Sequence, residues 1–162
     1  MATNNLLQKL DGGSDFGGTT SNRSQVEFFR YTVPAGSGTH TLDKGNWMAF
    51  DSGKTGADRV LFVEQAAAVT NGNPLVVGVL RDDISVEQIS GVTQDISVPV
   101  VIAGYYSAAK VASGLAIDKA LSVVTTAGEA NAAAATDLVN ACGVSLAAED
   151  SDVAPVWVFK QF

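Results

Sequence analysis

The feature that most constrains this chain is its punctuation. From Val26 onward, strand-forming runs of roughly four to eight residues alternate with clusters of Gly, Pro, Asn and Asp. Residues 26–33 end at Pro34-Ala35-Gly36-Ser37-Gly38, and residues 46–50 run into Asp51-Ser52-Gly53-Lys54-Thr55-Gly56. Residues 60–63 follow. Asn71-Gly72-Asn73-Pro74 is then a turn that opens the wholly apolar run 75–80, which predicts a buried strand. Residues 96–103, 121–125, 141–146 and 155–159 complete the series. Short strands at this spacing predict a mostly β chain: a compact barrel, a β-tulip-like barrel or a sandwich. Two stretches carry helical features and predict one or two short helices on that core. Residues 107–116 place small apolar side chains at helical spacing, and residues 131–140 are Ala-rich.

Length and charge bound the function. The 162 residues suffice for one domain, and 46% apolar content excludes a wholly disordered chain. Ten basic against seventeen acidic side chains leave a net charge of −7, which argues against nucleic acid as a partner. No apolar run approaches the roughly 18 residues of a membrane span. The opening Met-Ala-Thr-Asn-Asn-Leu-Leu-Gln has no basic segment leading into an apolar one, so no secretory signal is expected. Cys142, the one cysteine, leaves no internal disulfide and no multi-cysteine metal site. Charged residues are 17% of the chain, below the roughly 25% norm, which suits a surface packed against other proteins.

Residues 1–25 differ from the rest. They are rich in Gly, Ser, Thr and Asn and cannot bury enough apolar surface to fold alone. Leu6, Leu7, Leu10 and Phe16 are scattered through them. A plain linker has no use for a Leu-Leu pair and a Phe, so the segment is expected to be an extended arm that orders on a neighbouring subunit through these side chains. Residues 26–162 form the single β domain.

That domain contains echoes. Leu42-Asp43-Lys44-Gly45 is answered by Ile117-Asp118-Lys119-Ala120, Val77-Gly78-Val79 by Cys142-Gly143-Val144, and Val98-Pro99-Val100 by Ala154-Pro155-Val156. The order is the same, which predicts two pseudo-repeats, about 42–103 and 117–160, with longer loops in the first. The Gly-Val pairs fit a bulge or a close backbone approach, and Pro99 and Pro155 are expected on sheet edges or at strand starts.

Few residues suggest chemistry. Gly53-Lys54-Thr55 lacks the upstream glycine of a phosphate loop, since Met48 stands there. His40 is the one histidine and has no nucleophile-elbow sequence to serve. Cys142 sits in an apolar run and is expected to be a small buried hydrophobe. Two acidic loops, Asp82-Asp83 with Glu87 and Glu149-Asp150 with Asp152, hold carboxylates that are a candidate for a cation but lack the spacing of a calcium loop. The aromatic residues, among them Trp47, Tyr105, Tyr106 and Trp157, are not interleaved with basic ones and are expected in core or interface packing.

Several words resemble the capsid decoration proteins (cement or head-stabilising proteins) of tailed bacteriophages. They are Gly114-Leu115-Ala116-Ile117-Asp118-Lys119-Ala120-Leu121, Asn140-Ala141-Cys142-Gly143-Val144-Ser145-Leu146 and Pro155-Val156-Trp157-Val158-Phe159, with Val33-Pro34-Ala35-Gly36 and Pro74-Leu75-Val76-Val77-Gly78-Val79-Leu80 upstream. The resemblance covers about residues 26–162; the long arm and the longer first-half loops depart from it. It implies a virion protein on the capsid exterior, made in the host cytoplasm, that binds the major capsid protein after expansion, commonly as a homotrimer. It implies no catalysis and no cofactor, and no residue is assigned to a metal. A tail-tube or head-completion subunit, or a β domain binding a small ligand or glycan, are the competing readings.

Overall fold

The computed structural model describes residues 24–159, so the arm residues Leu6, Leu7, Leu10 and Phe16 lie outside the described residues. The strands are β1 Ser24–Val33, β2 Gly38–Leu42, β3 Trp47–Phe50, β4 Val63–Gln65, β5 Val76–Leu80, β6 Ile84–Gln88, β7 Gln94–Lys110, β8 Ala120–Ser122, β9 Asn131–Ala132, β10 Gly143–Ser145 and β11 Val153–Val158. β1 therefore begins two residues inside the segment expected to be arm. The short helical elements are 3-10 turns at Gly56–Val60 and Leu138–Asn140. No helix among the described residues is long and apolar enough to cross a membrane.

The chain is mostly β, and its large sheet is antiparallel and curled into a half-barrel. β7 is the spine. Its first part pairs with β1, Val100 and Val101 also take Leu80 and Val79 of β5, and Gly104 to Lys110 takes β11. Two units of the same strand order result. The first is β1-β7-β5-β3-β4; the second is β7-β11-β10-β8-β9. The end of one unit is the start of the next, because β7 serves both.

Register makes the equivalence specific. Met48 faces Gly78 as Leu121 faces Gly143, Val79 faces Val101 as Val144 faces Trp157, and Met48 faces Gln65 as Leu121 faces Ala132. Turn hydrogen bonds repeat as well. Arg81 N donates to Pro99 O and Leu146 N to Pro155 O; Ala66 N donates to Trp47 O and Ala133 N to Ala120 O. One echo is corrected. The Asp43-Lys44 and Asp118-Lys119 words are two residues out of structural register. Gly45 (φ 86°) matches Asp118 (φ 60°), since Gly45 N donates to Leu80 O as Asp118 N does to Ser145 O. A left-handed turn residue is what both positions share, and Asp tolerates it better than most non-glycine residues.

The first unit is buried on both faces, which is why 75–80 is apolar throughout. On one face Met48, Val77, Leu80, Val98, Val100 and Ile102 pack under Leu42 and Ile84 of the β2–β6 ribbon. On the other, Trp47, Ala49, Val76, Val79 and Val101 pack against Leu121, Cys142, Ala154, Val156 and Val158 of the second unit.

Two expectations are overturned locally. Residues 107–110 continue β7 instead of starting a helix, because Ala109 and Lys110 pair with Ala154 and Val153. Their small side chains answer to close packing, and Ala109 is fully buried. Pro99 lies within a paired strand, opposite Phe28, instead of on an edge. Its missing N–H would face Arg81 O, and that carbonyl accepts the Tyr106 hydroxyl at 3.0 Å instead.

Candidate functional site

The equivalence of the two units exposes a difference between them. In the first, Trp47, Val79 and Val101 stand directly opposite one another on three strands and are sealed. The equivalent row in the second unit is Ala120, Val144 and Trp157, extended by Tyr105 of β7. Directly paired residues share a face. The opposite face of these strands holds Gly143, Ser145, Val156 and Val158, all buried. Row two thus points away from the core. Trp157 is 36% exposed, and Leu146 and Phe159 beside it are exposed as well. The bulky residue has moved from one end of the row to the other: Trp-Val-Val inside, Ala-Val-Trp outside.

Ser24, where the described chain begins, pairs with Gly104, and so does Val158. Two partners of one strand residue sit on its opposite edges, about 10 Å apart at two strand spacings. Ser24 therefore lies beside the row. A second apolar group lies elsewhere. Val69, Leu138 and Val139 are exposed around a link in which Asn140 Nδ2 donates to Asn71 O at 2.8 Å.

The residues weighed for chemistry are occupied structurally. His40 Nε2 and Tyr31 Oη lie 3.0 Å apart with their rings stacked, which ties the β2–β6 ribbon to β1. Burial pushes the Tyr31 hydroxyl above its ordinary pKa. Cys142 is buried with Sγ 3.3 Å from Leu121 O, and burial pushes its thiol far up, away from the thiolate a nucleophile needs. Gly53 N donates to Asp51 Oδ1, a turn in which Lys54 Nζ lies 4.4 Å from the Phe62 ring centroid.

The acidic loops hold themselves together. Asp82 pairs with Arg81 at 2.7 Å, raising the guanidinium pKa, and Asp83 accepts the Lys44 backbone N–H. Glu149 accepts from Gly114 N at 2.9 Å and Asp152 N at 2.8 Å, and these bonds lower its pKa. Among the described residues no three His, Cys, Asp or Glu side chains gather as a metal would require.

The open row is what residue-by-residue reading missed. Its signal was the alternation over 153–158: once Ala154, Val156 and Val158 face inward, Trp157 faces out. Family models, curated proteins and solved structures show no match to this chain.

Proposed function

We propose that this chain is a structural virion protein that binds the outside of an expanded phage capsid and stabilises it, with the N-terminal arm ordering on neighbouring subunits. The observation that carries the reading is the outward-facing Ala120–Val144–Trp157–Tyr105 row, half-buried with Trp157 exposed where its equivalent is sealed, and lying beside Ser24, the first described residue. A rigid sheet body with one outward-facing apolar row and a polar arm carrying Leu6, Leu7, Leu10 and Phe16 is suited to lattice contacts. The partners are the major capsid protein and further copies of the chain, as a homotrimer. Each backbone residue of the arm costs about 1–2 kcal/mol to order, so apolar anchors and lattice repetition must offset that.

The test is co-sedimentation with expanded, undecorated heads of the source phage. Binding that saturates at a fixed ratio to the major capsid protein supports the reading. No binding discards it and turns attention to a tail-tube subunit, which polymerises on its own.

A further inference from the structure

Asn71-Gly72 is the one Asn-Gly pair in the sequence, and the fold places it on the seam between the two units. Both residues have positive φ, 69° and 82°, and Gly72 N closes the turn by donating to Val69 O at 2.8 Å. Asn tolerates that region better than most residues, and Gly adopts it freely. Asn140 Nδ2 donates to Asn71 O at 2.8 Å and lies 3.3 Å from Gly72 O, which fastens the turn to the second unit. Gly72 is wedged there: a Cβ on it would come within 3.0 Å of Asn140 Cβ and 3.2 Å of Ser122 Cβ. Asn71 itself is exposed, and its side chain makes no hydrogen bond among the described residues.

Such a pair can undergo an internal acyl transfer. The Gly72 nitrogen gives its proton to solvent base and attacks Asn71 Cγ. The new N–Cγ bond closes a succinimide, and the Cγ–Nδ2 bond breaks as ammonia leaves with a proton from water. A second water opens the ring at either carbonyl, giving aspartate or β-linked isoaspartate. A glycine after the asparagine leaves the attacking nitrogen unhindered. The other described asparagines lack these conditions. Asn73 precedes Pro74, which has no N–H, and Asn46 is buried. Asn131 Oδ1 accepts the Thr125 hydroxyl at 2.8 Å, and the Asn140 amide is engaged with Asn71.

We infer that Asn71 is a spontaneous modification site whose rate is set by Asn140. While the turn stays fastened, the Gly72 N–H is spent on Val69 O; each opening of the Asn140 latch frees it to attack Asn71 Cγ. The isoaspartate product adds a main-chain carbon and a negative charge to a turn with no slack, and the carbonyl that Asn140 held becomes a side-chain carboxylate. The change runs one way and loosens residues 66–74 from the second unit. It stands apart from the capsid role, and shell binding can succeed or fail without it.

The experiment incubates full-length protein at mildly alkaline pH and follows the tryptic peptide between Arg59 and Arg81 by mass spectrometry. Product should form at Asn71 and not at Asn131, and more slowly than in the urea-unfolded chain. Asn140→Ala should speed it about fivefold, as loss of one hydrogen bond from the latch requires. Hydrogen exchange at the Gly72 amide should quicken by the same factor. Asn140→Asp, which keeps the shape and loses the donor, should act alike, and an unmodified Asn131 shows that each variant is still folded. Equal rates at Asn71 in the folded and unfolded wild type overturn the inference. So does a rate in both folded variants equal to that of wild type.

Discussion

Val101 and Trp157 hold the same place in two units of one strand pattern: Val79 faces the first and Val144 the second. Val101 is sealed, whereas Trp157 is 36% exposed. The difference comes from head-to-tail packing. The first unit sets its Trp47–Val79–Val101 face against the inward face of the second. Such packing leaves one face over at each end. The β2–β6 ribbon covers the spare face of the first unit, and among the described strands nothing equivalent covers that of the second.

The two tryptophans should therefore differ in their worth to the fold. Trp47 is fully buried and its Nε1 donates to Lys110 O at 3.0 Å, closing β3 onto the end of β7. Trp47→Ala should cost about 3–5 kcal/mol by loss of packing. Trp157→Ala should cost less, about 2 kcal/mol, since about a third of its surface is already wet. Urea unfolding midpoints measure both, and equal losses would contradict the asymmetry.

Gly78 and Gly143 should resist substitution for one shared reason. A Cβ at Gly78 would strike Val101 O, and a Cβ at Gly143 would come within 2.7 Å of Trp157 O, the carbonyl at the equivalent place. The Trp47 ring lies over Gly143 too, 3.1 Å from that Cβ. Backbone cannot step aside as a side chain does. Gly78→Ala should cost about 3 kcal/mol or more, and Gly143→Ala slightly less. Gly91 has no atom near its Cβ position, but its positive φ adds strain, so Gly91→Asn is the milder control. Thermal melts that rank Gly91→Asn worst would refute the account.

Tyr106 should make the fold sensitive to alkali. Burial, then the carboxylates of Asp82 and Asp83, push its pKa from 10.0 up to about 12. A group whose folded pKa is raised stabilises fully below the unfolded value and loses that contribution as pH climbs through the folded one. Stability should thus fall between about pH 10 and 12 as the phenol ionises and its bond to Arg81 O breaks. In Tyr106→Phe the loss over that range should be shallower. Melting temperatures measured from pH 9 upward decide it; parallel curves for the two proteins would remove Tyr106 as the cause.

Glu149 should act in the opposite direction. Its carboxylate pKa is lowered by the Asp152 and Gly114 amides, so its contribution is present above the ordinary carboxylate range and fades as pH falls through the lowered value. Because Glu149 joins the loop at Gly114 to the one at Asp152, acidification or Glu149→Gln should speed hydrogen exchange at both amides. The β2–β6 amides should be unaffected. Unchanged protection at Gly114 in the variant would show that the loops are held otherwise.

Much of this architecture was legible in the sequence, and the failures have physical causes. The wholly apolar run at 75–80 announced a strand covered on both faces, and the Gly78 and Gly143 words marked close backbone approach. β6 was visible in principle, since Ile84, Val86 and Gln88 alternate with exposed Ser85 and Glu87, but its neighbouring acidic loop masked the period. β2 offered less, with Leu42 its one buried residue. The later half of β7 misled because Ala108, Val111, Ala112 and Leu115 fall at helical spacing, whereas Ala109, Val111 and Leu115 are small or apolar because they pack in the sheet's core. The outward row was hidden because the alternation over 153–158 turns Trp157 outward only once Ala154, Val156 and Val158 are placed in the core, and the pairing of Ala120 with Val144 and Val144 with Trp157 supplies the rest.

The most direct test of the central claim is the temperature at which DNA-filled heads lacking this protein release their DNA, measured before and after saturation with the purified full-length chain. A structural role on the capsid exterior predicts a clear upward shift that saturates with occupancy. Heads that bind the protein to saturation and release DNA at an unchanged temperature would contradict it.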